Sequence, residues 1–313
     1  MRAVTVRDGA LVVEDHPDPE PGHGQILVRV RAAGLNGADM LQRRGAYPAP
    51  PGEPEHIPGL EMAGEVVARG TGTHRFSEGD RVMAVVGGGA QAELALVHER
   101  AAMPAPEGLE WPQAGGLPEV FTTAHDALFT QAELRPGEHL LVHGAAGGVG
   151  TAAVQIGRVA GARVTATVRR EELRPQVEQL GARAIAPDDF VEHGPYDVIL
   201  ELVGAGNLED NLASLARRGR IAVIGVGGSG PLAEMNLLAL MQKHARIHGS
   251  TLRARPLEEK ALAARLVERE LLPHFESGAL TVPVAATFPL EEAEQAYDRF
   301  AAGGKLGKLV LTP

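Results

Sequence analysis

The chain has 313 residues, a formal net charge of −10, 44% hydrophobic residues and no cysteine. This length allows two domains with separate cores. The composition excludes disulfides, thiolate metal ligands and a cysteine nucleophile, and the negative charge argues against nucleic-acid binding, which requires clustered Lys and Arg.

Hydropathy gives no sign of a membrane or secretory segment. No apolar run approaches the ~20 residues that cross a bilayer. The first residues, MRAVTVRDGALVVED, lack the apolar core of a signal peptide. We therefore expect no membrane association and a cytoplasmic location.

Residues 1–118 predict an irregular, mainly β domain. Short segments with alternating apolar residues, such as Gln25–Arg31, Glu65–Ala68 and Arg81–Val85, predict strands, and Gly and Pro clusters separate them. Residues 48–58 contain five prolines. Because proline cannot donate a ladder or helix hydrogen bond, this stretch predicts an extended loop.

Residues 119–253 alternate strand and helix, which predicts a parallel, doubly wound sheet. The predicted strands are Glu138–His143, Arg163–Val168, Asp197–Leu202 and Arg220–Val226, and the predicted helices are Gly148–Ala160, Pro175–Leu180 and Leu208–Ala216. Residues 254–313 form a third part. It predicts a long helix Leu257–Phe275, a strand Val282–Thr287, a helix Leu290–Ala302 and a strand Leu306–Leu311.

Residues 138–160, EHLLVHGAAGGVGTAAVQIGRVA, indicate strand, glycine turn and helix in direct succession. Glycines let the backbone approach a pyrophosphate closely, and the amides at the helix N-terminus face its charge. A second strand follows, which completes the βαβ unit that this mechanism requires. We predict a dinucleotide site that includes Gly144, Ala146, Gly147, Gly148, Val149 and Gly150.

The strand after this helix indicates which nicotinamide cofactor binds. Sites for NAD commonly carry Asp or Glu at a position that falls near Val168 here. Arg169 and Arg170 follow instead, and two guanidinium groups suit the 2′-phosphate of NADPH. The alternative is a solvated turn in which the neighbouring glutamates only start a helix.

Several separated segments carry the motifs of one family, among them AAGLNGADMLQRRGAYPAPPG (32–52), PGLEMAGEVVARG (58–70), HGAAGGVGTAAVQI (143–156), GSTLRARPLEEKA (249–261) and GKLGKLVL (304–311). With them the chain resembles the zinc-less quinone oxidoreductases of the medium-chain dehydrogenase/reductase superfamily, in particular the p53-inducible subgroup. The resemblance implies an α/β fold. A discontinuous, GroES-like, mainly β catalytic domain (1–118 and 254–313) is interrupted by a Rossmann domain (119–253).

The resemblance also exposes a missing metal ligand. Zinc alcohol dehydrogenases of this superfamily carry a G-H-E motif whose histidine binds the metal, but this chain has Gly59, Leu60 and Glu61. Leucine cannot bind zinc, and the cysteine ligands are absent. We therefore expect no metal and an acceptor that is already electrophilic, a quinone or an enone.

Two residues are expected at the reacting centre because they match family positions. Asn36 matches an asparagine near the nicotinamide and substrate, although Asn between two glycines is also typical of a turn. Tyr47 matches a tyrosine on the substrate side, where a phenol can donate to the developing oxyanion; its alternative is packing against the proline loop. His125 and His143 have polarity suited to acid–base chemistry and are left unassigned.

Further residues are expected to contact the cofactor because they match family segments or follow sheet strands. Thr123 lies in a predicted helix, where its hydroxyl has the alternative of bonding its own backbone. With Asn36, the remaining expected contacts are Val203, Gly204, Gly225, Val226, Ser250, Thr251 and Leu252.

The resulting hypothesis is an NADPH-dependent quinone reductase. The alternative on the same scaffold is an NADPH-dependent reductase of enoyl thioesters or alkenals, since both need the same hydride donor. An alternative of another class is a cofactor-binding protein with little turnover. The resemblance also implies a homodimer joined edge to edge through the Rossmann sheets, with Ala245–Leu252 as the candidate edge.

Overall fold

The computed structural model describes residues 1–228 and 230–313. The chain divides into two compact units. Unit 1 comprises residues 1–122, 252–303 and 308–313, and unit 2 comprises residues 123–251 and 304–307. The short return of residues 304–307 to unit 2 has no counterpart in the sequence prediction.

Strands dominate the first part of unit 1, and helices are short. The strands are β1 (Arg2–Arg7), β2 (Ala10–Asp15), β3 (Gln25–Gly34), β4 (Glu61–Arg69), β5 (Arg81–Val85), β6 (Leu94–His98) and β7 (Ala102–Pro104). The helices are α1 (Gly37–Arg43) and α2 (Trp111–Gly115), followed by α3 (Pro118–His125), whose last three residues belong to unit 2. The proline-rich stretch 48–58 contains neither helix nor strand, as predicted.

Unit 2 is a parallel sheet with helical connections. Its strands are β8 (His139–Val142), β9 (Arg163–Thr167), β10 (Arg183–Ile185), β11 (Tyr196–Glu201), β12 (Leu215–Val223) and β13 (Arg246–Gly249). Its helices are α4 (Gly148–Val159), α5 (Arg174–Gln179), α6 (Leu208–Ser214) and α7 (Leu237–Lys243). The order β10-β9-β8-β11-β12-β13 confirms the doubly wound sheet. The order reverses between β8 and β11, where such folds bind ligands at the carboxyl ends of the strands.

The last part of the chain completes unit 1. It contains α8 (Leu257–Glu270), α9 (Leu272–Glu276), β14 (Val284–Pro289), α10 (Ala293–Ala302) and β15 (Lys308–Thr312). β15 pairs with both β14 and β3, so the C-terminal strand joins the sheet built by the N-terminal part. The prediction of one helix over 257–275 was wrong. The helix breaks at Leu271, and Pro273, which has no amide hydrogen, lies in the first turn of the next helix.

Buried apolar side chains of the strands and helices form separate cores. In β3, Ile26, Val28 and Val30 are buried. Each fully buried aliphatic side chain contributes about 1.5–3 kcal/mol relative to an exposed one. The unit 2 core includes Leu141, Phe190, Ile199, Leu212 and Ile221. Within residues 1–228 and 230–313, no helix has both the length and the apolar character to cross a bilayer.

Candidate active and cofactor sites

The predicted glycine turn joins β8 to α4. Thr151 donates its amide to the Gly147 carbonyl at 2.8 Å, the first bond of the helix. Helix geometry leaves the amides of Gly148, Val149 and Gly150 without acceptors inside the helix. A Cβ on Gly150 would lie 2.6 Å from the Cα of Ala145, so only glycine allows this tight packing. These features fit a pyrophosphate group.

Thr167, at the end of β9, accepts two hydrogen bonds from the glycine turn. Its hydroxyl accepts the Gly144 amide at 3.3 Å, and its carbonyl accepts the Ala145 amide at 3.1 Å. The same hydroxyl lies 3.1 Å from Nδ1 of His143, whose Nε2 is 2.8 Å from Oδ1 of Asn211. Burial lowers the pKa of His143, which favours a neutral ring. His143 therefore positions the turn from within the core.

Glu201, at the end of β11, organises the neighbouring loop. Its carboxylate is 3% exposed, and Oε1 accepts the amides of Val203 at 2.6 Å and Gly204 at 2.9 Å. Oε2 accepts the Asn211 amide at 2.8 Å, which connects the carboxylate to the partner of His143. Sequence reasoning missed this residue. The signal in the sequence was an acid, Glu201, directly after the apolar residues 198–200.

The return segment 304–307 contacts the glycine turn within unit 2. Gly307 donates its amide to the Ala146 carbonyl at 2.8 Å. Gly304 has a φ of +65°, and a Cβ there would lie 2.5 Å from the Arg170 guanidinium. Arg170 therefore packs directly against Gly304, where both the positive φ and the lack of room for a Cβ favour glycine.

Arg169 and Arg170 are exposed just after β9, and Val168 before them is buried. Arg170 is 3.4 Å from Glu172, and both side chains of that pair are largely exposed. Such an exposed pair contributes little free energy. Exposed guanidinium groups that follow a valine, at the position where NAD sites carry an acid, suit a phosphate better than a ribose hydroxyl.

The structure brings together some of the other predicted cofactor contacts. Gly225 donates its amide to the Glu201 carbonyl at 3.1 Å, so Gly225, Val203 and Gly204 lie together at the strand ends. Val226 is 40% exposed. The remaining predicted contacts are spread more widely: Thr123 is buried in α3, Thr251 lies in unit 2 but is exposed, and Leu252 is buried in unit 1.

Ser250, another predicted contact, is hydrogen-bonded to the first residue after α3. Its hydroxyl donates to Oδ2 of Asp126 at 2.9 Å. Asp126 begins a π-helical turn, Asp126–Gln131, directly after α3. Such turns are rare and occur frequently at functional sites.

In unit 1, Asn36 belongs to a buried ionic cluster. Its Nδ2 donates to Oε1 of Glu61 at 2.9 Å and to the Gly34 carbonyl at 3.3 Å. Its Oδ1 accepts from Nζ of Lys308 at 2.7 Å, and Nζ lies 2.6 Å from Glu61 Oε1. Both amide hydrogens of Asn36 are therefore engaged within the protein, and the weaker contact is the one with Gly34.

Asp39 lies next to this cluster at the start of α1. Its oxygens accept the amides of Asn36 at 2.8 Å and Gly59 at 3.0 Å. Burial raises the pKa of Asp39 to about 7, although these two bonds and the charge of Lys308 act in the opposite direction. The acid thereby joins the start of α1 to Gly59, two residues before β4.

Tyr47 lies in the proline-rich loop and is partly exposed. Its backbone carbonyl accepts from Nη1 of Arg253 at 3.0 Å, and the Arg253 guanidinium carbon is 5.2 Å from the centre of its ring. Burial raises the pKa of the Tyr47 phenol, whereas the charge of Arg253 opposes that change. Arg253 was not identified from the sequence.

A cavity of about 740 Å³ lies within unit 1. It is lined by Pro50–Pro54, Gly87–Gly89 and Arg253–Arg255, among others, and neither Asn36 nor Tyr47 is one of its lining residues. The cavity is therefore distinct from the predicted acceptor contacts.

Metal-ligating side chains are not gathered in the described part of the chain. Residues 1–228 and 230–313 contain no group of three or more His, Asp or Glu side chains placed to hold a metal ion. Leu60, at the position of the zinc-binding histidine, is 1% exposed and packed in the core. The neighbouring Glu61 is neutralised by Lys308.

Two domain models match the chain. The alcohol dehydrogenase GroES-like domain covers residues 22–107, and the zinc-binding dehydrogenase domain covers residues 148–269. Together with the mainly β unit and the Rossmann unit, these matches define an oxidoreductase of the alcohol dehydrogenase type.

Whole-chain relatives specify the family. The quinone oxidoreductase of Rattus norvegicus is 34% identical, with 99% of this chain and 97% of that protein covered. The quinone oxidoreductase of Pseudomonas aeruginosa is also 34% identical, with 97% and 95% covered. The chain belongs to the quinone oxidoreductases of the medium-chain dehydrogenase/reductase superfamily.

Solved structures agree with this fold. An alcohol dehydrogenase superfamily protein from Novosphingobium aromaticivorans is 30% identical with a TM-score of 0.88, covering 100% of this chain and 99% of that one. A mycobacterial protein in complex with NADPH is 29% identical with a TM-score of 0.88, and both chains are covered completely.

Proposed function

We propose that this protein is an NADPH-dependent quinone reductase that works without a metal ion. The observation that supports the cofactor choice is the exposed Arg169 and Arg170 pair just after β9, preceded by Val168 where NAD sites commonly carry an acid. The NADPH complex of the mycobacterial neighbour supports the same choice. The names of the curated relatives support a quinone as the acceptor.

The groups proposed to bind the cofactor phosphates lie in unit 2. The amides of Gly148, Val149 and Gly150 would hold the pyrophosphate, and Arg169 and Arg170 the 2′-phosphate. When bound, NADPH supplies a hydride, which carries the two electrons that reduce a quinone. The remaining residues proposed to line the cofactor site are Asn36, Thr123, Gly144, Ala146, Gly147, Val203, Gly204, Gly225, Val226, Ser250, Thr251 and Leu252.

Tyr47 supplies the proton in this proposal. Its O–H bond breaks, a new O–H bond forms on an oxygen of the reduced acceptor, and water returns a proton to the phenolate. With one hydride and one proton, the quinone becomes a hydroquinone. The Asn36 amide can contact the acceptor by releasing its 3.3 Å bond to the Gly34 carbonyl while keeping Glu61 and Lys308 as fixed partners.

No metal ion is needed in this scheme. Leu60 offers no ligand atom, and the charge of Glu61 is already balanced by Lys308. A quinone is electrophilic without a Lewis acid, so the chain needs only to place a proton donor near its oxygen.

We also propose a homodimer joined at β13. This strand is the last in the sheet order of the described chain, within the edge segment predicted at 245–252. The adjoining helix α7 packs Leu240 on the core but exposes Leu237, Leu238 and Met241 at 60%, 60% and 68%. A second copy would cover these side chains and pair the strand edge.

The test is a panel of acceptors with purified protein. Rates of NADPH oxidation are measured with ortho-quinones, para-quinones, 2-alkenals and an enoyl thioester, and Tyr47→Phe is assayed in parallel. We expect kcat/KM for at least one quinone to exceed that for the alkenals and the thioester by about tenfold or more. A preference for the alkenal or thioester would contradict the proposal, as would tight NADPH binding without turnover of any acceptor.

A further inference from the structure

Arg253 is a buried cation held by uncharged oxygens. Its side chain is 1% exposed. Nε donates to the Gly87 carbonyl at 2.7 Å, Nη1 to the Tyr47 carbonyl at 3.0 Å and Nη2 to Oε1 of Gln42 at 2.6 Å. Taking a guanidinium out of water costs free energy, which these neutral acceptors and the more distant charges of nearby carboxylates, Glu119 among them, offset.

The acceptors come from separate segments of unit 1. Gln42 lies in α1, Tyr47 in the proline-rich loop that follows it, and Gly87 just after β5. Gln42 also donates Nε2 to the Glu55 carbonyl at 3.1 Å, farther along the same loop. Because this loop contains neither helix nor strand, the rigid guanidinium fork is one of the contacts that restrain it, and it acts at Tyr47.

The same group places its charge against the Tyr47 ring. The guanidinium carbon is 5.2 Å from the ring centre, within the range of a cation–π contact. A cation at this distance attracts the phenolate more strongly than the neutral phenol. Arg253 therefore fixes the backbone of Tyr47 and also favours the form of the side chain that has given up its proton.

We propose that Arg253 is the positioning residue for Tyr47, holding the phenol in place and stabilising the phenolate left when its proton moves to the acceptor oxygen. The inference rests on the proposed role of Tyr47 as proton donor. The step adds no reactant, because water restores the proton and the guanidinium stays protonated throughout.

Measuring the ionisation of the Tyr47 phenol tests the proposal without an activity assay. The chain has three tyrosines. Burial raises the pKa of Tyr196 to about 12 and that of Tyr297 well above its ordinary value, so Tyr47 is expected to ionise first. Ultraviolet absorbance follows phenolate formation, Tyr47→Phe identifies the step, and circular dichroism confirms that each variant stays folded. We expect Arg253→Met to raise the midpoint of Tyr47 ionisation, here called the Tyr47 step, by about one pH unit.

Two further variants separate charge from general structure. Arg253→Lys keeps a positive charge but loses the fork, so we expect a smaller shift of the Tyr47 step together with a lower kcat. Arg265→Met is the control, because Arg265 is a partly buried arginine of unit 1 whose guanidinium likewise donates to a backbone carbonyl, that of Ala102. It should leave the Tyr47 step unchanged. Arg253→Lys also keeps the test available if Arg253→Met does not fold.

A kinetic cycle tests whether the effect passes through Tyr47. With a quinone and NADPH, Arg253→Met should lower kcat roughly tenfold to a hundredfold in the wild-type background. In the Tyr47→Phe background it should lower kcat less than about twofold. An unchanged Tyr47 step in both Arg253 variants, or an equal loss of kcat in both backgrounds, would overturn the proposal. A wild-type protein without quinone turnover would instead refute the proposed function and leave the ionisation result to stand alone.

Discussion

Lys308 and Glu61 form a 2.6 Å ion pair whose side chains are 3% and 0% exposed. Removing one member of a buried pair leaves the other charge uncompensated and destabilises by about 3–5 kcal/mol. We expect Lys308→Met to lower the free energy of unfolding by about that amount, measured by urea denaturation. Arg100→Met, which breaks the exposed pair with Glu258, is the control and should cost far less. Equal losses would contradict the prediction.

Asp39 predicts an unusual pH dependence of stability. Burial raises its pKa to about 7, whereas an unfolded aspartate titrates near pH ~3.9. Between these values the folded protein keeps a proton that the unfolded chain has lost, so the contribution to stability is complete below about pH 4 and disappears as the pH rises through about 7.

We expect the free energy of unfolding of the wild type, relative to that of Asp39→Asn, to decrease by up to about 4 kcal/mol across this window. Urea denaturation of both proteins at several pH values measures the difference. A difference that stays constant or grows with pH would show that Asp39 is ionised in the folded state.

Cofactor preference should depend on the guanidinium groups after β9. In Arg169→Met/Arg170→Met, the Kd for NADPH should rise by about a hundredfold, since each lost charge-assisted contact accounts for about tenfold, while the Kd for NADH should change little. Nicotinamide fluorescence measures both constants. Arg217→Met/Arg218→Met removes two exposed arginines elsewhere in unit 2 and should leave the NADPH to NADH ratio unchanged. Equal wild-type affinity for both cofactors would refute the preference.

The dimer prediction depends on the exposed face of α7. Introducing charge with Leu238→Asp/Met241→Asp should convert the dimer to monomers, because a buried carboxylate at the interface lacks a partner. Light scattering at micromolar concentration gives the mass. Leu262→Asp, at another exposed leucine in α8, should remain a dimer. A wild-type protein that is already monomeric would rule the interface out.

The missing ligands predict activity without zinc. Purified protein should contain no stoichiometric zinc, and quinone reduction should persist after dialysis against a strong chelator. Elemental analysis and the assay of NADPH oxidation decide the matter. A content of about one zinc per chain, lost together with activity, would disprove metal independence.

Much of the fold could be predicted because local patterns determine it. Alternating apolar residues predicted β5 with its observed bounds, and the strand, glycine turn and helix of residues 138–160 predicted β8 and α4. The break at Leu271 was missed because the apolar periodicity of residues 257–275 continues across it. Proline in the first turn was the local signal that helicity restarts there.

The site was only partly predictable because its supporting contacts are long-range. Lys308 is an ordinary cation in a C-terminal strand until the pairing of β15 with β3 brings it to Asn36 and Glu61. Arg253 similarly acquires its role from segments far away in the sequence. Glu201 alone carried a local signal, since a charge at the end of a buried strand requires partners.

The Rossmann unit depends on residues 304–307, a segment that is separated from the rest of the unit in the sequence. A fragment of residues 123–251 would contain the whole parallel sheet yet lack the Gly307 amide that caps the Ala146 carbonyl and the Gly304 surface that seats Arg170. Excision would therefore remove two contacts that support the glycine turn and Arg170 in the complete chain. Domain grafting or shuffling with this chain must carry the C-terminal peptide along, either fused in sequence or supplied in trans.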